Sequence, residues 1–173
     1  MKKIFISILI LFILSRIFIN EKLVSVRGIG EYKEDDLTTV KKTLKEYYNI
    51  DVTIDNRPIV KNEFYESNNM LDVNKILVYK FLNLFDNTVI LVTSERLTDS
   101  LQGIDFKGPS LMIISSFKCK DIRPVIIHEF THNIGLHHCN NDECYMYKKL
   151  NKKNKYYMCS NCSKQIKEKF KYP

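Results

Sequence analysis

The segment HEFTHNIGLHHCNNDECYM, His128 to Met146, holds all four histidines of a 173-residue chain and two of its five cysteines. His128 and His132 are four residues apart. On a helix that spacing puts both imidazoles on one face, because a turn takes about 3.6 residues. Glu129 then projects slightly aside, where it can reach a metal-held water without ligating the metal. Gly135 can take a left-handed conformation and stop the helix. The chain turns back there and brings His138 toward the first two histidines. Three neutral imidazoles leave the fourth position of a tetrahedral zinc open for water, as a catalytic zinc requires. Zinc lowers the pKa of that water to about 7, so Glu129 could take its proton during attack on a peptide carbonyl and pass it to the leaving nitrogen. His128, His132 and His138 are therefore the expected ligands of a catalytic zinc, and Glu129 the expected catalytic base. His137 is expected at the rim or against substrate, not on the metal.

The cysteines carry a second pattern. Cys139 abuts His138, Cys144 follows after four residues, and Cys159 and Cys162 form C-x-x-C. Two close pairs separated by a loop suit a closed structural zinc site. Two disulfides are the alternative in an exported chain. Cys119 is left over as a free thiol.

These residues need elements to position them. DIRPVIIHEFTHNI (121–134) starts a helix, with Asp121 as N-cap and Pro124 in its first turn. Strands are expected at 22–30, 50–54, 87–94 and 110–117, and helices at 33–49 and 70–85, from apolar period and propensity. Residues 55–69 and the Gly- and Asp-containing 95–109 read as irregular. Helices interleaved with strands predict α/β layering, with helices packed against one sheet.

The combined motifs resemble one family, the archaemetzincins. The resemblance rests on HEFTHNIGLHHC, four residues (NNDE), CYM, a spacer of twelve residues and CSNC. The extended His-Glu-x-x-His-x-x-Gly-x-x-His string marks the wider metzincin group. RPIVKNEFYESNNMLDVNKILVYKFLN and NTVILVTSERLTD are also similar to family segments. The resemblance implies an α+β metzincin-like domain: a twisted mixed sheet packed with an active-site helix, and a small C-terminal zinc lobe built on four cysteines. It implies a metallopeptidase with two zincs per chain, acting on peptides or proteins. By position, Met146 would be the Met-turn residue beneath the catalytic zinc, and Cys139, Cys144, Cys159 and Cys162 would hold the structural one. The domain is then expected over 21–173, with the catalytic helix at 122–135 and the zinc lobe at 139–173.

Charge and hydropathy add the ends. From Tyr145 to Pro173 nine lysines face one acid, so this tail carries +8 of a net +7. Lysines can offset the charge of clustered thiolates. Residues 1–20 carry an N-terminal hydrophobic leader, Lys2 and Lys3 before an apolar run broken by Arg16, which predicts a signal peptide or uncleaved membrane anchor. Export or membrane association through residues 1–19 is expected, with a cytoplasmic protein as the alternative. A two-zinc binding module that contacts nucleic acid or anionic membrane through the lysine-rich lobe is the competing function. Glu129 disfavours it, since such a module needs no carboxylate beside its first histidine, and a nucleic-acid partner is not expected.

Overall fold

The computed structural model describes residues 24–60, 62–66, 70–82, 88–106, 110–148 and 156–171. The leader expected over residues 1–20 lies outside them. No helix among the described residues is long and apolar enough to cross a membrane.

One mixed five-stranded sheet runs in the order β2-β1-β3-β5-β4. β1 (Val24–Ile29), β2 (Val52–Ile59), β3 (Thr88–Thr93) and β5 (Leu111–Ser115) are parallel to one another, whereas β4 (Gly103–Phe106) runs antiparallel to β5 at the edge. All five residues of β5 are buried, as a strand covered on both faces requires. Alternate residues then serve alternate faces. Val24, Val26, Ile90, Val92, Met112 and Ile114 join α1 (Glu34–Tyr48) and α3 (Arg123–Asn133) in one apolar cluster. Leu91, Leu111 and Ile113 face the other way and meet α2 (Val73–Leu82). Burying each such Leu or Ile contributes about 1.5–3 kcal/mol.

Two stretches expected to be irregular are structured. β2 continues to Ile59 despite Arg57 and Pro58: Asp55 pairs with Arg27 and Ile59 with Ile29, a bulge takes up the residues between, and an edge strand tolerates proline there. Residues 95–109 contain a short 3₁₀ turn, Thr98–Ser100, and then β4. β4 has only four residues, and pairing with β5 rather than intrinsic propensity makes it a strand. A further helix, α4 (Ser160–Lys171), lies at the end of the cysteine-bearing segment, where no element was expected.

Asp55 ties β2 to β1. It pairs with Arg27, its cross-strand neighbour, and accepts from Arg57 Nε at 2.9 Å and Nη2 at 3.0 Å. The Arg57 hydrogen bonds, with Arg27 adding to them, hold the Asp55 carboxyl well below the usual carboxylate range. An unfolded aspartate titrates near about 3.9, so this charge favours folding above that pH and the gain fades as pH falls toward the folded value. Asp55→Asn should therefore lower the unfolding temperature near neutrality, with the gap to the unmodified chain closing below about pH 3. A gap that does not change with pH would mean that the two arginines contribute nothing through this charge.

Candidate active site

Helix α3 is fixed before its histidines are considered. Pro124 sits in its first turn. Asp121 is one residue outside the cap position, which Ile122 takes, yet its carboxylate still accepts the Arg123 amide at 3.0 Å. Val125, Ile126, Ile127 and Phe130 pack into the sheet-facing core. At the end of α1 the buried Tyr48 hydroxyl donates to the Ile127 carbonyl at 3.1 Å and meets the Thr131 hydroxyl at 2.6 Å. The helix spans Arg123–Asn133, within the expected 122–135. Its stop is a Schellman turn: Gly135 (φ +98) donates to His132 O at 2.9 Å and Leu136 to Thr131 O at 3.1 Å.

This turn brings His138 back. His132 Nε2 lies 3.1 Å from both His128 Nε2 and His138 Nε2. His128 Nδ1 donates to the Tyr145 carbonyl at 2.6 Å and His132 Nδ1 to the Leu136 carbonyl at 2.8 Å. A carbonyl can only accept, so both Nδ1 atoms carry the proton and both Nε2 atoms present lone pairs. Two lone pairs facing at this distance repel unless a cation lies between them. Ligands about 2.0–2.1 Å from a tetrahedral zinc stand roughly 3.3–3.4 Å apart, so the three imidazoles fit that ion. Burial, reinforced by the two neighbouring imidazoles, pulls the His128 pKa down to about 4 and keeps the ring neutral. His137 is exposed and lies outside the cluster.

Glu129 sits against β4. A Cβ at Gly103 would lie 2.7 Å from Glu129 Cγ, 2.8 Å from Val125 Cγ1 and 3.0 Å from Glu129 Oε1. The bare backbone there makes room for the carboxylate. Burial, then the nearby Asp105 carboxylate, push the Glu129 carboxyl up to about 8. Gly103→Ala should displace Glu129, costing about 1–3 kcal/mol of stability by overpacking and lowering any hydrolytic turnover more than substrate binding. Unchanged turnover would mean the carboxylate has another way to settle.

Four cysteines form a second cluster. Cys139, Cys144, Cys159 and Cys162 have all their sulfurs within 4.8 Å of one another, and none is in a disulfide. Cys139 Sγ and Cys159 Sγ are 4.0 Å apart, near the roughly 3.8 Å expected of thiolates about 2.3 Å from a tetrahedral zinc. Backbone amides point at the sulfurs: Asn141 N at 3.3 Å from Cys139 Sγ, and Met146 N and Cys159 N each at 3.5 Å from Cys144 Sγ. Met146 is fully buried beside Leu136, Cys144 and Cys162, and its carbonyl accepts the Cys139 amide at 2.8 Å. Cys119 stands apart and donates to the Asp121 carbonyl.

Solved structures match this arrangement of strands and helices. A zinc-dependent peptidase from Methanocorpusculum labreanum (strain Z) aligns with a TM-score of 0.65 at 20% identity, over 83% of this chain and 99% of that one. Archaemetzincin from Methanopyrus kandleri aligns at 0.68 with 16% identity, over 88% and 98%. The fold is that of the archaemetzincins. Archaemetzincin from Archaeoglobus fulgidus, complexed with malonate, aligns at 0.63 with 16% identity, over 83% of this chain and 99% of that one. No family model and no curated protein matches the chain.

Within the archaemetzincin fold, several residues at the site had no signal in the sequence. Gly103 and Asp105 fell in an expected loop. Tyr145 acts through its carbonyl, which residue type does not reveal. Asn133 lay inside the expected helix, but nothing in the sequence marks it as facing β4. A cavity of about 490 Å³, lined by Arg27, Asp55, Ile76 and Leu91 among others, opens on the α2 side of the sheet and contains none of the site residues.

Proposed function

We propose that this chain is a zinc-dependent peptidase in which His128, His132 and His138 hold a catalytic zinc and Glu129 is the general base. The observation that carries this reading is the convergence of three Nε2 atoms at the helix turn bearing Glu129. A zinc bound there supplies a Lewis acid that brings a water pKa to about 7 and polarises a carbonyl. Glu129 accepts the proton that the attacking water loses and returns it to the leaving amine nitrogen. Tyr145 and Leu136, through their carbonyls, hold the first two imidazoles in the tautomer a metal needs.

β4 ends the sheet beside α3, and its outer edge has no partner among the described residues. An extended peptide can add to such an edge through its main chain, which favours short or flexible substrates. Cys139, Cys144, Cys159 and Cys162 hold a second, structural zinc, and Met146 packs beneath the catalytic one. The peptidase domain spans 21–173 with residues 139–173 as its zinc lobe. Residues 1–20 are a leader, signal peptide or anchor, that directs the chain to export or a membrane. The similarity of the fold to a zinc-dependent peptidase and to archaemetzincins supports the peptidase reading.

Chelation tests it. Peptide-library cleavage should vanish on full metal removal and return with zinc but not magnesium, because nitrogen ligands favour zinc. Cleavage that survives metal removal would end the reading.

A further inference from the structure

β4 is a weak element by itself. It has four residues and, among the described residues, one sheet partner and an open edge. Its start is held where the Ser115 amide donates to the Gln102 carbonyl at 2.8 Å. Near its other end, the Asn133 side-chain amide donates to Asp105 Oδ1 at 2.7 Å. Asn133 is the last residue of α3 and follows His132 directly. Gly103 and Asp105 lie on one face of β4, since alternate residues share a face. Val125, Glu129 and Asn133 lie on one stripe of α3, since every fourth residue does. The strand face thus meets the helix stripe at two places. Gly103 meets Val125 and Glu129 by close approach, and Asp105 meets Asn133 by a charge-assisted hydrogen bond.

The geometry points to the Asn133–Asp105 hydrogen bond as a latch that fixes the edge strand in register with the histidine-bearing helix. Asp105 and Asn133 are then positioning residues: they touch no reacting atom but set where a main-chain-bound peptide lies relative to Glu129. This role in substrate placement rests on the peptidase reading. The latch itself does not.

Amide hydrogen exchange and kinetics, measured on the zinc-loaded full chain, test both parts. Asp105→Ala and Asn133→Ala should each speed exchange of the β5-facing amides of β4 by about tenfold, as the loss of one hydrogen bond to a charged group permits. Zinc content should not change. For Asn133→Ala, which leaves the carboxylate beside Glu129 in place, KM for peptides should rise by a similar factor of about ten with kcat nearly constant, because substrate placement and not proton transfer is disturbed. Asp105→Asn keeps an acceptor for the Asn133 amide and should stay close to the unmodified chain in exchange and in KM. Unchanged exchange in either alanine variant overturns the latch, and so does an Asp105→Asn chain that exchanges as fast as Asp105→Ala. Faster exchange with unchanged KM overturns the positioning role. If an alanine variant does not fold, the other and Asp105→Asn still decide. If the unmodified chain cleaves no peptide, the peptidase reading fails and exchange alone judges the latch.

Discussion

Replacing Glu129 by glutamine should lower peptide hydrolysis by about 10²–10⁴-fold, the usual worth of a positioned general base. Glutamine keeps the size and shape of the side chain, so it fits the space left bare by Gly103. It cannot accept the proton lost by the attacking water. His128 and His132 do not depend on Glu129 for their orientation, because their Nδ1 atoms donate to backbone carbonyls. The variant should therefore bind zinc as the unmodified chain does and lose activity in kcat, with KM little changed. A variant that lost both zinc and activity would assign Glu129 a structural part instead. One that kept its activity would remove it from the chemistry altogether.

The second large effect concerns the cysteine lobe. Cys144→Ser removes a buried sulfur that receives the Met146 and Cys159 amides. A closed four-thiolate zinc site contributes folding free energy outright, so losing one ligand should release that ion and loosen the lobe. The consequence reaches the histidines by two routes. His138 adjoins Cys139 in sequence. Tyr145, the neighbour of Cys144, gives its carbonyl to His128 Nδ1 at 2.6 Å. Losing such an outer partner typically weakens metal binding by about 10–100-fold, so the histidine site should lose zinc affinity by that order. Titration with a competing zinc chelator measures it. Unaltered affinity at the histidine site would show that the two clusters are independent despite sharing one short segment.

Much of this site was legible because its chemistry is local in sequence. The four-residue step from His128 to His132 needs only a helix, and Gly135 announces where that helix must stop. The cysteine pairs were equally plain from spacing. Parallel strands β3 and β5 were readable as apolar runs, since both of their faces are largely buried, and β1 as a short strand ending at glycines. The missing parts depend on contacts distant in sequence. β4 is a strand because β5 pairs with it, and Gly and Asp within it argued for a loop. Residues 55–59 read as irregular, yet β1 pairs with Asp55 and Ile59 and a bulge takes up the residues between. Helix α4 has few apolar residues, Cys162, Ile166 and Phe170 among lysines, and its inner face is partly built from a cysteine that had been read only as a ligand. Gly103, Asp105 and Asn133 matter only through the packing of β4 on α3, which no periodicity encodes.

Metal stoichiometry is the most direct check. Purified protein loaded with zinc and freed of excess should hold two ions per chain by elemental analysis. His132→Ala and Cys144→Ser should each retain one of them when the loaded concentration exceeds the weakened affinity. A chain that binds no zinc, or a His132→Ala variant that still holds two, would contradict three imidazoles closing on a single ion.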